Sequence, residues 1–181
     1  MSLLASQIEI GLQAALKKAT TKFIAELHKK MEQESMNNTG KLKNSIKDEI
    51  NTVGNVVQAL VMMKKYGFYH DRGVRAANIP FGGRTGRGGK SKFIEGLRSY
   101  FLSKGFGPKK ALGIAFATAH KQKLRGAPLR YNGKGSAFLT ETIIKMEPEI
   151  KKLLKREATD VLRIVIVNQI RQTVKEFNKA A

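Results

Sequence analysis

The chain of 181 residues contains no cysteine. Disulfide staples, thiol nucleophiles and cysteine-ligated zinc are therefore excluded, and stability must come from packing or assembly. Acidic residues are also scarce: 14 stand against 34 lysines and arginines, for a formal net charge of +20. No stretch approaches the roughly 18 consecutive apolar residues that a membrane span needs. The opening Met1-Ser2-Leu3-Leu4-Ala5 leads into a pattern broken by polar residues, not into a basic leader with an apolar core. Neither membrane insertion nor secretion is expected, and the missing cysteine agrees with cytoplasmic synthesis. What is present, 41% apolar and 27% charged residues, belongs to a globular chain long enough for one domain, 1–181.

The charge is concentrated. Between Arg72 and Lys134 lie fifteen lysines and arginines with one carboxylate, Glu95, so this third carries +14 of the +20. Its densest part is the glycine-rich run Gly82-Gly83-Arg84-Thr85-Gly86-Arg87-Gly88-Gly89-Lys90-Ser91. A polyanion such as nucleic acid, or an acidic surface on another protein, would relieve the self-repulsion of such a segment. A solvated basic loop has the same composition.

Hydrophobic periodicity sorts the rest. Ile8, Leu12, Ala15, Leu16, Ala19, Phe23, Leu27 and Met31 recur every three or four residues and predict a long amphipathic helix over 5–35. Asn37-Asn38-Thr39-Gly40 stops it, and a short turn follows over 41–46. Alternation through Ile46, Asp48, Ile50 and Thr52, then the apolar run from Val56 to Met63, predicts a β-hairpin turning at Gly54-Asn55 within a hairpin region 46–73. The aromatic stretch from Tyr66 to Gly73 reads either as an extension of the sheet or as a short helical turn. An insertion over 74–134 holds the basic loop and a helical hairpin: 91–104 with Phe93, Ile94, Leu97, Phe101 and Leu102 on one side, and 108–124 with Leu112, Phe116 and Ala119, joined across Gly105-Phe106-Gly107. A last helix is expected over 148–177, opened by Glu147-Pro148, with a stripe of Ile150, Leu153, Leu154, Val161, Leu162, Val165 and Ile170. Its run Ile164-Val165-Ile166-Val167 is β-branched enough for a strand, but its helical flanks favour a buried or oligomer-facing helix. The fold class is α+β, two long terminal helices on a small antiparallel sheet.

Catalytic motifs fail on spacing. Gly89-Lys90-Ser91 matches the end of a phosphate-binding P-loop, yet the glycine required five positions earlier is Arg84, and Pro80 interrupts the strand that should lead in. His28, His70 and His120 are scattered without metal-ligand spacing. His70-Asp71 beside Tyr66 and Tyr69 could orient a general base, and Ser91 or Ser99 could nominally serve as nucleophile, but neither has an elbow or triad context. The residues therefore assign no catalytic group, metal or cofactor. Arginines and lysines would neutralise phosphates, and Tyr100 or Tyr131 could stack on bases, without any base-reading motif; a sequence-independent nucleic-acid-binding protein acting through 72–134 is the alternative reading.

The order of elements resembles a known family. A long helix is followed by Thr39-Gly40-Lys41-Leu42-Lys43-Asn44-Ser45-Ile46, a hairpin, an aromatic stretch ending at Gly73, and a later Pro-Leu-Arg-Tyr to Phe138-Leu139-Thr140 segment before the final helix. This is similar to the tail-completion and head-to-tail joining proteins of tailed bacteriophages, whose pattern T-G-x-L-x-x-S-I is met here by Thr39, Gly40, Leu42, Ser45 and Ile46, with Gly73, Phe138 and Leu139 at the later positions. The resemblance covers most of 5–175 and departs from the family between Phe81 and Leu124, where the insertion is unusually large and basic. It implies a non-enzymatic virion subunit at the neck, synthesised in the host cytoplasm. Such a subunit would form a sixfold or twelvefold ring around the DNA channel and meet connector or adaptor proteins and tail-tube or tail-terminator proteins. On that reading Arg84, Arg87, Lys90 and Lys92 lie on an extended arm, and Arg75, Arg125, Arg130 and Lys134 join them as contacts to a partner or to DNA in the channel.

Overall fold

The first helix, α1 (Leu3–Gln33), and the last, α5 (Phe138–Ala180), are far apart in sequence and pack against each other. In the computed structural model, which describes residues 3–34, 36, 40–54, 56–82, 91–131 and 133–180, they run antiparallel. Lys30 pairs with Glu141 at 2.7 Å, Glu26 with Lys145 at 2.5 Å, Lys22 with Glu149 at 2.7 Å and Lys18 with Glu157 at 2.7 Å. Descending numbers on one helix thus meet ascending numbers on the other. Beneath these pairs lie Ala15, Ala19, Leu27 and Met31, all buried. At Gly11 the helices approach closely: a Cβ there would stand 2.6 Å from both methyls of Val161. Exposed pairs of this kind fix register more than they stabilise, so apolar burial carries the packing.

The hairpin lies along α1. Strands β1 (Lys47–Val53) and β2 (Val56–Met62) pair antiparallel from Lys47↔Met62 to Val53↔Val56. The turn lies between Val53 and Val56, where Gly54 has φ +60°; Asn55 lies outside the described residues. Two strands alone are marginal in water, and α1 supplies the support. Lys17 Nζ donates to Asp48 at 2.8 Å, and the Thr20 hydroxyl donates to the same carboxylate at 2.5 Å. The Thr52 hydroxyl donates to Glu9 at 2.6 Å, and Gln13 donates to Thr52 at 3.1 Å. Asp48 and Thr52, four residues apart, share the face turned to the helix, as the alternation predicts. At the open end of the hairpin, Leu42, Ile46 and Phe138 join Leu27 and Met31 in one cluster. A 3-10 turn, Lys43–Ser45, shapes this corner. The Ser45 hydroxyl donates to the Leu42 carbonyl at 2.7 Å and accepts the Lys64 N–H at 3.2 Å.

The chain divides into two compact units, Met1–Lys64 with Phe138–Ala181, and Lys65–Ala137. The second begins ahead of the expected insertion start at Val74, because the aromatic stretch is helical. Helix α2 (Tyr66–Arg72) takes the helical alternative and ends at Gly73, whose φ of +77° lets its N–H reach the Tyr69 carbonyl. Helices α3 (Lys92–Ser103) and α4 (Pro108–Arg125) form the expected hairpin over a cluster of Ile79, Phe81, Ile94, Ala115 and Ala119. On α4 the buried row is Ala111, Ala115 and Ala119, each fully buried, while Leu112 and Phe116 keep more than a third of their surface exposed. Of the anticipated stripe Leu112, Phe116 and Ala119, Ala119 is buried as expected, while the other two buried positions lie one residue earlier, at Ala111 and Ala115.

Helix α5 also differs from expectation, beginning at Phe138 and carrying Pro148 inside it. Proline deprives the Ile144 carbonyl of its helical partner; both residues face solvent, Ile144 being 67% exposed, so water can take its place. The run from Ile164 to Val167 is helical, with Val165 buried and its three neighbours exposed.

The helix pairing carries a pH signature. Glu26, Glu149 and Glu157 have lowered pKa values, chiefly through hydrogen bonds from Lys145, Lys22 and Lys18. A lowered folded pKa gives stability that is fully present above the unfolded value of about 4.3 and is lost as pH falls through the folded value. Lys30, raised by its hydrogen bond to Glu141, acts in the opposite sense and loses its contribution as pH rises past its folded pKa. In thermal melts of the chain this contribution should therefore be lost below about pH 4.3, separately from any loss that the lowered His70 pKa causes below about pH 6.5. Replacing Glu26, Glu149 and Glu157 together with glutamine should flatten that acid limb, and an unchanged limb would show that the pairs contribute nothing.

Candidate polyanion-binding surface

Three backbone segments of the second unit, residues 70–74, 125–128 and 133–137, cross with almost no side chain between them. Val74 and Ala127 exchange both backbone hydrogen bonds, at 2.7 and 2.9 Å. The Ser136 N–H donates to the His70 carbonyl at 2.8 Å and the Ala137 N–H to the Asp71 carbonyl at 3.0 Å. Gly73, Gly126, Gly133 and Gly135 occupy the crossing, all with positive φ. A Cβ on Gly73 would strike the Gly133 carbonyl, and one on Gly135 the Asp71 carbonyl. At Gly126 it would lie 2.5 Å from the Val74 oxygen, and at Gly133 2.8 Å from the Arg125 oxygen. Both the backbone angle and the space exclude any other residue type.

The sequence around these glycines is basic, so the crossing gathers charge. Arg72 ends α2 and precedes Gly73; Arg75 follows the Val74 bridge; Arg125 ends α4 and precedes Gly126; Lys134 lies between Gly133 and Gly135. Arg130 sits in the 3-10 turn Leu129–Tyr131, which the Gly133 N–H closes onto the Pro128 carbonyl at 3.2 Å, and its guanidinium lies 5.4 Å from the Tyr131 ring centre. All five cationic residues are exposed. Like charges about 10 Å apart in water repel by about 0.4 kcal/mol per pair. The fold accepts this cost at one place. Asp71, buried to 4% exposure at the crossing, is the carboxylate that the unit holds inside this basic surround; a buried carboxylate needs such compensation.

Of the basic residues singled out in the sequence, the crossing therefore unites Arg75, Arg125, Arg130 and Lys134. Lys92 is exposed at the start of α3 and is not held by the crossing. Arg84, Arg87 and Lys90 lie outside the described residues. Arg72 and the frame itself went unrecognised; the available signal was four glycines placed beside or between basic residues in two distant segments. Compared with known protein families, curated proteins and solved structures, the chain matches none. The chemistry of the surface must be read from its own residues.

Of the residues considered for catalysis, His70 takes part in the crossing through its backbone. The His70 carbonyl accepts from both the N–H and, at 3.2 Å, the hydroxyl of Ser136. Its ring meets Tyr66 edge-on with centres 6.5 Å apart. The surrounding protein desolvates the imidazole and lowers its pKa although the residue keeps an exposed edge, so it is neutral at neutral pH. Among the described residues no group of three histidines and carboxylates is arranged to hold a metal. An open groove of about 570 Å³ lies at the base of the hairpin, lined by residues including Lys41, Ser45 and Met62, and belongs to the first unit.

A matched pair of substitutions tests the frame. Gly135→Ala meets both a positive φ and a backbone oxygen, whereas Gly105→Ala meets a similar φ of +86° with nothing within 4 Å. The Gly105 variant should cost about 1 kcal/mol, from the backbone angle alone. The Gly135 variant should cost at least about 2 kcal/mol more and abolish amide-exchange protection at Val74, Ala127, Ser136 and Ala137. Equal costs would mean that the crossing is not tight.

Proposed function

We propose that this chain is a structural, non-enzymatic subunit of a tailed-bacteriophage virion, forming a ring at the neck or upper tail that completes the tail and joins it to the head around the DNA channel. The observation that carries this reading is where the described residues of the resembled pattern stand in the fold. Leu42 and Ile46 are buried against α1, and Ser45 ties their turn to the chain leaving the hairpin. Gly73 ends α2 in a conformation that favours glycine, and Phe138, fully buried, opens the last helix beside Leu139. Each is a joint between elements, so the pattern is one of architecture; Thr39 lies outside the described residues.

Exposed apolar side chains support an assembling subunit. Val53, Val56, Leu60 and Met62 project from the hairpin face opposite the one bearing Asp48 and Thr52, and Leu162, Ile164, Ile166 and Ile170 are exposed on α5. Apolar surface on this scale is typical of chains that meet partners. Ring neighbours and the connector, adaptor, tail-tube or tail-terminator proteins are the partners on this reading. The charge of the second unit favours a second reading, a free sequence-independent nucleic-acid-binding protein.

Electron microscopy of purified particles, with this chain labelled, separates the two. Density in a symmetric ring between head and tail is expected, together with a solution mass of several subunits. Absence of the chain from particles, with a monomer or dimer in solution, would overturn the proposal in favour of the second reading.

A further inference from the structure

We infer that the Lys65–Ala137 unit is a nucleic-acid contact module whose cations at the glycine crossing, Arg72, Arg75, Arg125, Arg130 and Lys134, neutralise backbone phosphates without reading bases. The inference deepens the proposed role by naming what the basic surface meets, and it rests on that reading only for its setting in the neck. Three observations carry it. The first is extent. The unit contains sixteen lysines and arginines with two carboxylates, Asp71 and Glu95, and Asp71 is buried. Beyond the crossing, Lys104, Lys109, Lys110 and Lys121 are exposed on the helical hairpin. A surface of one sign spread over turns and two helices suits a polymer carrying a charge about every 1.7 Å better than one acidic patch on a folded protein.

The second is chemistry. Four of the five cations at the crossing are arginines, whose planar fork can engage two oxygens of one phosphate. The third is rigidity. The glycine crossing fixes the backbone that bears these side chains, so a ligand need not order a loop to be bound. The cations come from two helix ends, turns and short connections rather than from one face of a single helix that could lie in a groove, and contact is therefore with the backbone.

The test is fluorescence anisotropy of a labelled mixed-sequence DNA duplex titrated with the full chain at several salt concentrations. Neutralising a phosphate contributes about 0.9 to the slope of log affinity against log salt. Replacing all five cations with glutamine should make the slope shallower by about 4 and reduce affinity at low salt by at least about tenfold. A charge-matched variant with Lys29, Lys41, Lys47, Lys152 and Lys155 replaced by glutamine, all exposed residues of the first unit, should keep most of the slope. Arg75→Lys with Arg125→Lys, which preserves charge and guards against misfolding of the fivefold variant, should leave the slope unchanged. Equal losses in the fivefold and charge-matched variants would overturn the inference, since the attraction would then belong to the whole chain. Competition by polyglutamate as effective as that by unlabelled duplex would also overturn it and point to an acidic protein surface. These outcomes are read on the isolated chain, so they are separable from whether the protein is found at the neck of a particle.

Discussion

The first unit depends on the antiparallel seam between α1 and α5. Its two helices are separated by more than a hundred residues, so closing the seam costs loop entropy that grows with the logarithm of that length, a few kcal/mol at most. Fully burying a side chain such as Leu27, Met31 or Phe138 returns about 1.5–3 kcal/mol each, which is why the seam is anchored by a few large residues at one end. Toward the other end it relies on Ala15, Ala19 and Gly11, where small size brings the helices together. The hairpin is a dependent of this seam: its bonds to Glu9, Gln13, Lys17 and Thr20 all come from α1.

The second unit solves a different problem, how to leave and return to nearly the same point. Its answer is backbone against backbone. The hydrogen bonds joining residues 70–74 to 127, 136 and 137 consume the polar groups that such close approach would otherwise strand, and glycine is the residue that permits the approach. A consequence follows for the surface. With no side chains between the segments, the flanking residues at 72, 75, 125 and 134 must project around the crossing, and in this sequence all four are cationic. The frame and the charge are thus one arrangement, made by the same short segments.

Much of this was legible in the sequence, where the local signal was strong. The period of three and four residues over α1, the tight turn between Val53 and Val56 with Gly54 at positive φ, and the proline opening α4 each act through neighbours in the chain. What was not legible depends on partners far away. On α4 the buried row is Ala111, Ala115 and Ala119; the expected stripe included Ala119 but gave the larger Leu112 and Phe116 precedence over the alanines beside them. The start of α5 was hidden by Pro148, a residue normally read as a helix opener, which here occupies a solvent-facing position inside a longer helix. The crossing was the least visible, since four glycines in two basic segments resemble loop composition until their backbones are seen to touch. The basic segment as a region was evident; which of its residues share a site was not.

The two units use the same residue types in opposite ways. In the first, lysines at 17, 18, 22, 30, 43 and 145 each find a carboxylate on another element, so charge serves register. In the second, cations lie within a few residues of one another and the chain provides one exposed carboxylate, Glu95, for the whole unit. Beyond the compensation of buried Asp71, folding alone does not call for so many cations, because neutral polar residues at 72, 75, 125 and 134 would occupy the same exposed positions without repulsion. The repulsion that remains falls as salt screens the charges, and an external anion bound there would relieve it, which would tie the stability of the second unit to such binding.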